Sequence, residues 1–415
     1  MTLTHRTLVL GCGMAAVLAC ASIGGTPAPV RAPVLPGIDV LLRDSLALVR
    51  GKRVGLVTNQ TGVDRAGVSD VDRLLRDRVR LVALFSPEHG FRGAADPGAT
   101  VASSRDSATG LPIYSLYGRT AQPSDSMLQG VDVMLVDLQD AGARYYTYIS
   151  TAVEVMKAAA RRGMPVVILD RPDPLGGQTG GNVLDTAFTS FVGRLPVPMR
   201  HGLTMGEMAR FANDLLAIGA KLTVVPVSGW TRDEYYDETG LPFVRPSPNL
   251  PTFESLLHYP GTCLFEGTNL SVGRGSDHPF EQVGAPWLDT AAVLAQLRLA
   301  APRGVTFTAV AFTPHAPGDG KYADTTLAGI RLRVTDRAAY DPTVTAVMLL
   351  AAIRDAQPGQ LRFVASHFDR LAGTSALRAG LVAGMSPSDL TTGWRAERDA
   401  FAQRIAPYLL YPDRP

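Results

Sequence analysis

The 415-residue chain carries 40 basic and 38 acidic side chains, for a formal net charge of +2, with 46% hydrophobic and 19% charged residues. This is ordinary globular composition, long enough for two domains, without the basic stripe that a nucleic-acid partner requires. It has no Walker-type glycine-lysine loop, HExxH helix, CxxC pair or GxSxG elbow, so phosphate-cradling, zincin-like and lipase-like chemistries lose their usual support.

In chain order, the first element is a leader. His5 and Arg6 precede an apolar segment, Leu8 to Ala19, in the polar-then-apolar pattern of a secretory signal that is too short to span a bilayer permanently. Within it VLAC, Val17 to Cys20, resembles a bacterial lipobox, in which the cysteine is lipidated and becomes the mature N-terminus. The small residues Ala19 to Ala21 suit an ordinary cleavage site equally well. The expectation is a signal peptide over 1–21, a Pro-, Ala- and Gly-rich linker over 22–36, and a periplasmic or other extracytoplasmic protein, with a lipid anchor at Cys20 if the lipobox operates. The third cysteine, Cys263, then has no disulfide partner and reads as a small buried hydrophobe.

From Gly37 the pattern becomes regular. RVGLVT (Arg53 to Thr58), RLVALF (Arg80 to Phe85), VDVMLVDL (Val131 to Leu138) and PVVILD (Pro165 to Asp170) are near-continuous apolar runs, as expected of parallel strands buried on both faces. Helix-like stretches lie between them at Asp70 to Asp77 and Ser150 to Arg162. The alternation predicts an α/β fold with a doubly wound, Rossmann-like parallel-sheet domain over 37–228. A helix signal at Thr204 to Asn213 ends that region. A second, smaller α/β domain is expected over 229–415, with strands at Val305 to Thr313 and Leu327 to Thr335 and helices at Thr343 to Ala356 and Pro387 to Leu410.

Each buried strand runs into a polar cluster: TNQTG, SPEHGFRG, DLQDAGARYYTY and DRPDPLGG. Ligands in doubly wound sheets bind outside the carboxyl ends of the strands, so four loops converge on one edge. A dinucleotide does not fit there, because TNQTG lacks the GxGxxG turn. Glu88, between Pro87 and His89 with Gly90 following, is a carboxylate on a constrained loop; its structural alternatives are a helix cap or an ion pair with Arg92. Asp137, Asp140, Arg144, Tyr145 and Tyr146 share one loop, and carboxylates with an arginine and aromatics suit a sugar. Tyr145 and Tyr148 can equally be packing residues. Asp170, Arg171 and Asp173 can form a salt-bridge network that shapes a turn, and Arg200 with His201 can be substrate contacts or a loop staple. Glu266, ending the apolar run of CLFEGTN, repeats the strand-then-carboxylate pattern, and Arg274 in a Gly-Arg-Gly loop is free for an anion. His278 and His315 lack nearby partners in sequence, and neither a metal nor a cofactor is expected.

Taken in order, GLVTNQTG, LFSPEHGFRG, DLQDAGARYYTYIS, ILDRPDPLGG, VPMRHGLTMGE, PSPNLP and YPGTCLFEGTNLSVGRG resemble the bacterial exo-β-N-acetylmuramidases of the NamZ type, over about Gly37 to Tyr411. The resemblance implies an active site in the cleft between the two domains and the release of N-acetylmuramic acid from the non-reducing end of peptidoglycan fragments. Muropeptides or disaccharides from peptidoglycan are then the partners. Glu88 is assigned as general acid, with Glu266 or Asp140 as the second carboxylate. Arg144 or Arg274 is expected to read the lactyl carboxylate. Further substrate contacts are expected at Asn59, Gln60, His89, Tyr145, Tyr146, Asp170, Arg171, Arg200, His201, Asn249 and Asn269. The alternative is a lipoprotein that binds muropeptides without cleaving them, since a fold does not fix a function. A carbohydrate esterase is a third reading, against which the missing serine elbow counts.

Overall fold

The first strand, β1 (Arg53–Thr58), is buried from its second residue onward, and Gly55 leaves room there for the Met134 sulfur, which a Cβ would approach to 2.7 Å. Around β1 the chain adds β2 (Arg80–Ser86), β3 (Ser104–Arg105), β4 (Pro112–Ser115), β5 (Val133–Asp137), β6 (Pro165–Leu169), a hairpin of β7 (Gly180–Val183) and β8 (Pro198–Arg200), and β9 (Lys221–Val225). The main sheet has the order β3-β4-β2-β1-β5-β6-β9. It is parallel throughout apart from the short edge strand β3. The chain winds outward from β1 to one side and then from β5 to the other, so the switch point lies between β1 and β5. Helices α1 (Gly37–Asp44), α2 (Asp70–Arg76), α3 (Tyr148–Arg161) and α4 (Met205–Leu215) belong to this layer. Thr204 and Glu207 close a capping box at the start of α4, satisfying backbone donors that a helix start otherwise leaves open.

The second layer begins with α5 (Phe253–Thr262) and continues through β10 (Gln282–Ala285), α6 (Thr290–Ala300), β11 (Val305–Phe312), β12 (Leu327–Val334) and α7 (Pro342–Ala356). Its three strands form an antiparallel sheet, β10-β12-β11. The chain ends with α8 (Ala365–Ala372), α9 (Ala376–Val382), α10 (Pro387–Thr391) and α11 (Trp394–Ile405). The helix expected over Pro387 to Leu410 is thus two, interrupted at Thr392 and Gly393 and followed by a 3-10 turn at Ala406–Tyr408. Glycine at the break and Pro407 at the end explain both limits.

This computed structural model describes residues 1–3, 8, 32–96 and 98–413. The leader, Cys20 and most of the expected linker lie outside the described residues. Chain contacts separate Met1–Ala32 from Pro33–Pro415, and the fold above is that of the second unit. Within it one continuous apolar core joins both layers, from Val57 and Phe85 under the parallel sheet to Phe265, Val283 and Leu350 in the second layer. Among the described residues no helix is long and apolar enough to cross a membrane.

Candidate active site

Glu88 sits on a sharp turn after β2, where His89 and Gly90 take left-handed backbone angles of +69° and +74°. That geometry ends the strand and points the chain back across the sheet edge. The Glu88 carboxylate accepts from the Gly98 amide at 2.9 Å and from the Thr147 hydroxyl at 2.6 Å. Thr147 is the residue that precedes α3. The Tyr117 hydroxyl also faces Glu88, and burial together with that carboxylate raises the phenol's pKa. Arg92, the alternative partner, pairs instead with Asp106 at 3.2 Å.

Glu88 opens onto a cavity of about 260 Å³, which His89, Tyr145, Tyr146 and Thr147 line from the parallel-sheet layer. From the second layer come Tyr259, Cys263, Glu266, Arg274 and Phe280, with His367 and Arg370 from α8. Glu266 does not follow a strand. The run before it is the helix α5, and Cys263–Gly267 is a 3-10 turn. A short apolar run cannot be told as strand or helix from periodicity alone, and Gly261 allows α5 to press on α7, where a Cβ would meet the Pro342 carbonyl at 2.0 Å.

Arg274 grips Glu266 through Nε at 2.6 Å and also through Nη2, a fork-to-carboxylate pairing. Burial alone would lower the Arg274 pKa, but the charge and hydrogen bonding of Glu266, with Tyr259 and Cys263 nearby, together raise it. The third guanidinium nitrogen, Nη1, is buried without a hydrogen-bond partner. The two carboxylates therefore differ in kind. Glu266 is bound to a cation, whereas Glu88 is held by two neutral donors. Burial, then Glu266, pushes the Cys263 thiol up, which removes it as a nucleophile. His89 donates from Nδ1 to the Ala95 carbonyl at 2.7 Å, and burial lowers its pKa, leaving a neutral ring with Nε2 unprotonated.

The other expected site residues are mostly held in the framework around the cavity. Arg144, 3% exposed, donates to the carbonyls of Asn182, Val197, Leu371 and Ala372 at 2.8–3.1 Å. It ties the β7–β8 hairpin to α8 and does not line the cavity. Asp140 is likewise absent from its walls. Its carboxylate accepts from the Gly142 amide at 2.8 Å and from His201 Nε2 at 3.0 Å. His201 Nδ1 accepts from the Leu203 amide at 3.1 Å and lies 3.4 Å from Asp173. The ligand atoms of Asp140, Asp173 and His201 lie within 4.8 Å of one another, but both ring nitrogens already have protein partners. The cluster therefore reads as a polar staple between the loops after β5, β6 and β8. Burial pushes the Asp173 pKa up to about 7.

Arg171 pairs with buried Asp137 and donates to the Val63 carbonyl at 2.7 Å, joining the loops after β1, β5 and β6. Asp170 accepts from Thr204 at 2.7 Å, Gly206 at 2.8 Å and Tyr411 at 2.5 Å. Arg200 donates to the Leu175 carbonyl and stacks over Tyr235. Asn59 donates to Tyr148 at 2.7 Å, Gln60 to the Arg245 carbonyl at 3.0 Å, and Asn269 to the Gln360 carbonyl at 2.9 Å. Asn249 is buried beside Ser247. Tyr145 and Tyr146 do line the cavity, and their hydroxyls donate to the carbonyls of Pro260 at 2.8 Å and Pro246 at 2.7 Å. Thr147, Tyr259, His367 and Arg370 are cavity residues that sequence reasoning did not single out: the first two stand inside quoted motifs beside more obvious candidates, and no motif marks the pair on α8. A larger cavity of about 650 Å³ beside α1 is lined by Asp39, Asp64 and Arg73, whose charges already pair with one another.

With this geometry in hand, comparison with known proteins is specific. Residues 54–254 match the family model described as exo-beta-N-acetylmuramidase NamZ, N-terminal, and 257–411 match its C-terminal counterpart. The chain is 42% identical over 381 residues to the peptidoglycan beta-N-acetylmuramidase NamZ of Bacillus subtilis (strain 168), covering 91% of each. Two crystal structures of DUF1343 family proteins from Bacteroides fragilis NCTC 9343, each 32% identical, superpose with TM-scores of 0.82 and 0.77. Each match covers 92% of this chain and all of the other.

Proposed function

Because the chain belongs to the NamZ family of exo-β-N-acetylmuramidases, we propose a reading of its cavity as a site for a non-reducing-end N-acetylmuramic acid. The protein is an exo-acting glycosidase that releases this sugar from peptidoglycan fragments in cell-wall turnover. In the proposed mechanism Glu88 protonates the glycosidic oxygen, and Glu266, paired with Arg274, is the second carboxylate that glycoside cleavage usually uses. The observation that carries this is the pairing of unlike carboxylates in one cavity, one on neutral donors and one on an arginine. Arg274 Nη1, buried and without a partner, is suited to the lactyl carboxylate. Tyr145, Tyr146 and Tyr259 supply apolar walls for the ring.

The assay is incubation of protein lacking residues before Gly24 with a chromogenic β-N-acetylmuraminide and with the matching glucosaminide. Release from the first alone supports the reading. Tight binding with no release from either would make the protein a binding module. The leader pattern of His5 to Ala19 supports work outside the cytoplasm, and the Val17 to Cys20 motif supports a lipid anchor. In that case Cys20→Ser releases the protein from the membrane fraction. A wild type that is already soluble, with an N-terminus at Ser22, would contradict the anchor.

A further inference from the structure

Only four of the 40 basic residues are lysines, and one of them, Lys321, has an environment that calls for an ammonium. Its Nζ donates to the backbone carbonyls of Glu266 at 2.9 Å, Thr268 at 2.7 Å and Leu270 at 3.0 Å, with that of Phe265 at 3.4 Å. No carboxylate side chain takes part in this set. The compact ammonium gathers these carbonyls at a single atom, whereas a guanidinium spreads its donors over the nitrogens of a planar fork, as Arg144 does with its four carbonyls. The same arrangement of carbonyl oxygens is what proteins use to hold a bare monovalent cation.

The cage is the backbone of the turn that bears Glu266. The Phe265 and Glu266 carbonyls lie in the 3-10 helix Cys263–Gly267 and those of Thr268 and Leu270 in the segment that follows it, so Lys321 clamps the end of the turn to its exit. The loop that delivers Lys321 is shaped for the task. Tyr322 and Asp324 take positive backbone angles of +55° and +54°, which non-glycine residues hold only when the surroundings enforce them. The Tyr322 hydroxyl donates to the Asn269 carbonyl at 2.7 Å. The same loop braces the other member of the ion pair, since the His315 amide donates to the Gly275 carbonyl at 2.7 Å, next to Arg274.

We propose that Lys321 is a positioning residue for catalysis: its ammonium acts as a tethered monovalent cation in a four-carbonyl cage and fixes the turn from which Glu266 enters the cavity. The proposal rests on the reading of Glu266 as the second carboxylate. It makes Lys321 act through the backbone of Glu266, with no contact to substrate.

The test measures kcat and KM on the muraminide for Lys321→Met, Lys321→Arg and Glu266→Gln, in choline buffer with and without ammonium or potassium chloride. Lys321→Met is expected to lose about 10- to 100-fold in kcat with KM changed less than about two-fold, in keeping with the cost of misplacing a catalytic group. Ammonium or potassium, but not more choline, restores at least about five-fold of that loss by filling the vacated cage, and neither salt stimulates the wild type. Lys321→Arg is impaired and is not rescued. A kcat within about two-fold of wild type, a loss confined to KM, or equal salt effects on variant and wild type would overturn the proposal. An active Glu266→Gln would remove its premise, whereas an inactive Glu266→Gln beside an active Lys321→Met would sink the proposal and leave the site reading standing. Should Lys321→Met fail to fold, Lys321→Gln is compared in the same way. Failure of both to fold would make Lys321 a folding determinant and equally contradict the proposal.

Discussion

Replacing Arg144 by Met tests whether that guanidinium is part of the framework or a reader of substrate. Four carbonyls, on Asn182, Val197, Leu371 and Ala372, each lose a donor, although Val197 keeps the Leu184 amide and Ala372 keeps the Asn182 side chain. Each of the two acceptors left unmade costs about 1–3 kcal/mol and each of the two that keep a partner about 0.5–1.5 kcal/mol, or roughly 3–9 kcal/mol in all. Against this, the fold no longer buries a cation. Burial lowers the Arg144 pKa to about 10, which corresponds to a relief of about 3.5 kcal/mol at ~1.4 kcal/mol for each tenfold change in proton affinity. The resulting window runs from about zero to ~5.5 kcal/mol, and its middle, about 2.5 kcal/mol of lost stability, is a substantial loss for a single substitution. Equilibrium urea unfolding reads it directly. Because Leu371 and Ala372 close α8, which brings His367 and Arg370 to the cavity, activity should fall to the same degree on substrates with and without the lactyl group. A variant as stable as wild type within about 0.5 kcal/mol that loses only its preference for muramic substrates would refute the reasoning.

Arg274→Lys keeps the charge and removes the fork, so kcat/KM on a muraminide with a free lactyl carboxylate should fall about 10- to 100-fold, the worth of a charge-assisted hydrogen bond. An analogue with an amidated lactyl group should lose less; equal losses would confine Arg274 to holding Glu266. Asp170 provides a test of sign. Burial raises its pKa from 3.8 to about 7 against the pull of Thr204, Tyr411 and Gly206, so the folded state binds this proton more tightly than the unfolded chain. The stability from that proton is full below about pH 3.8 and is lost as pH rises through about 7. The difference in melting temperature between wild type and Asp170→Asn should therefore narrow as pH rises over that range, and a widening gap would reverse the assignment.

The parallel sheet was legible because its strands are buried on both faces. The runs at Arg53–Thr58 and Pro165–Leu169 show it without help from any partner, and the polar loops after them mark the binding edge. What the sequence hides is which of those loop residues face the cavity and which turn inward. Arg144 looks like an anion reader, yet its acceptors are main-chain carbonyls 38 to 228 residues away, and a carbonyl leaves no trace in composition. Asp140 and His201 are 61 residues apart and satisfy each other, so two apparent site residues become one staple. Glu88 and Glu266 were recognisable as carboxylates at the ends of apolar runs, but only the fold sets one on Thr147 and the other on Arg274. The contribution of α8 was invisible because ASHFDRLA reads as an ordinary amphipathic helix.

Glu88 as proton donor is the central chemical claim, and the dependence of Glu88→Gln on leaving group tests it most directly. With a sugar as aglycone the variant should lose about 10²- to 10⁴-fold in turnover, because the departing alkoxide must be protonated. With an acidic nitrophenol as aglycone, which leaves as its anion, the loss should shrink to within about 10-fold. A folded Glu88→Gln protein that loses the same factor on both substrates, or nothing on either, would contradict the account.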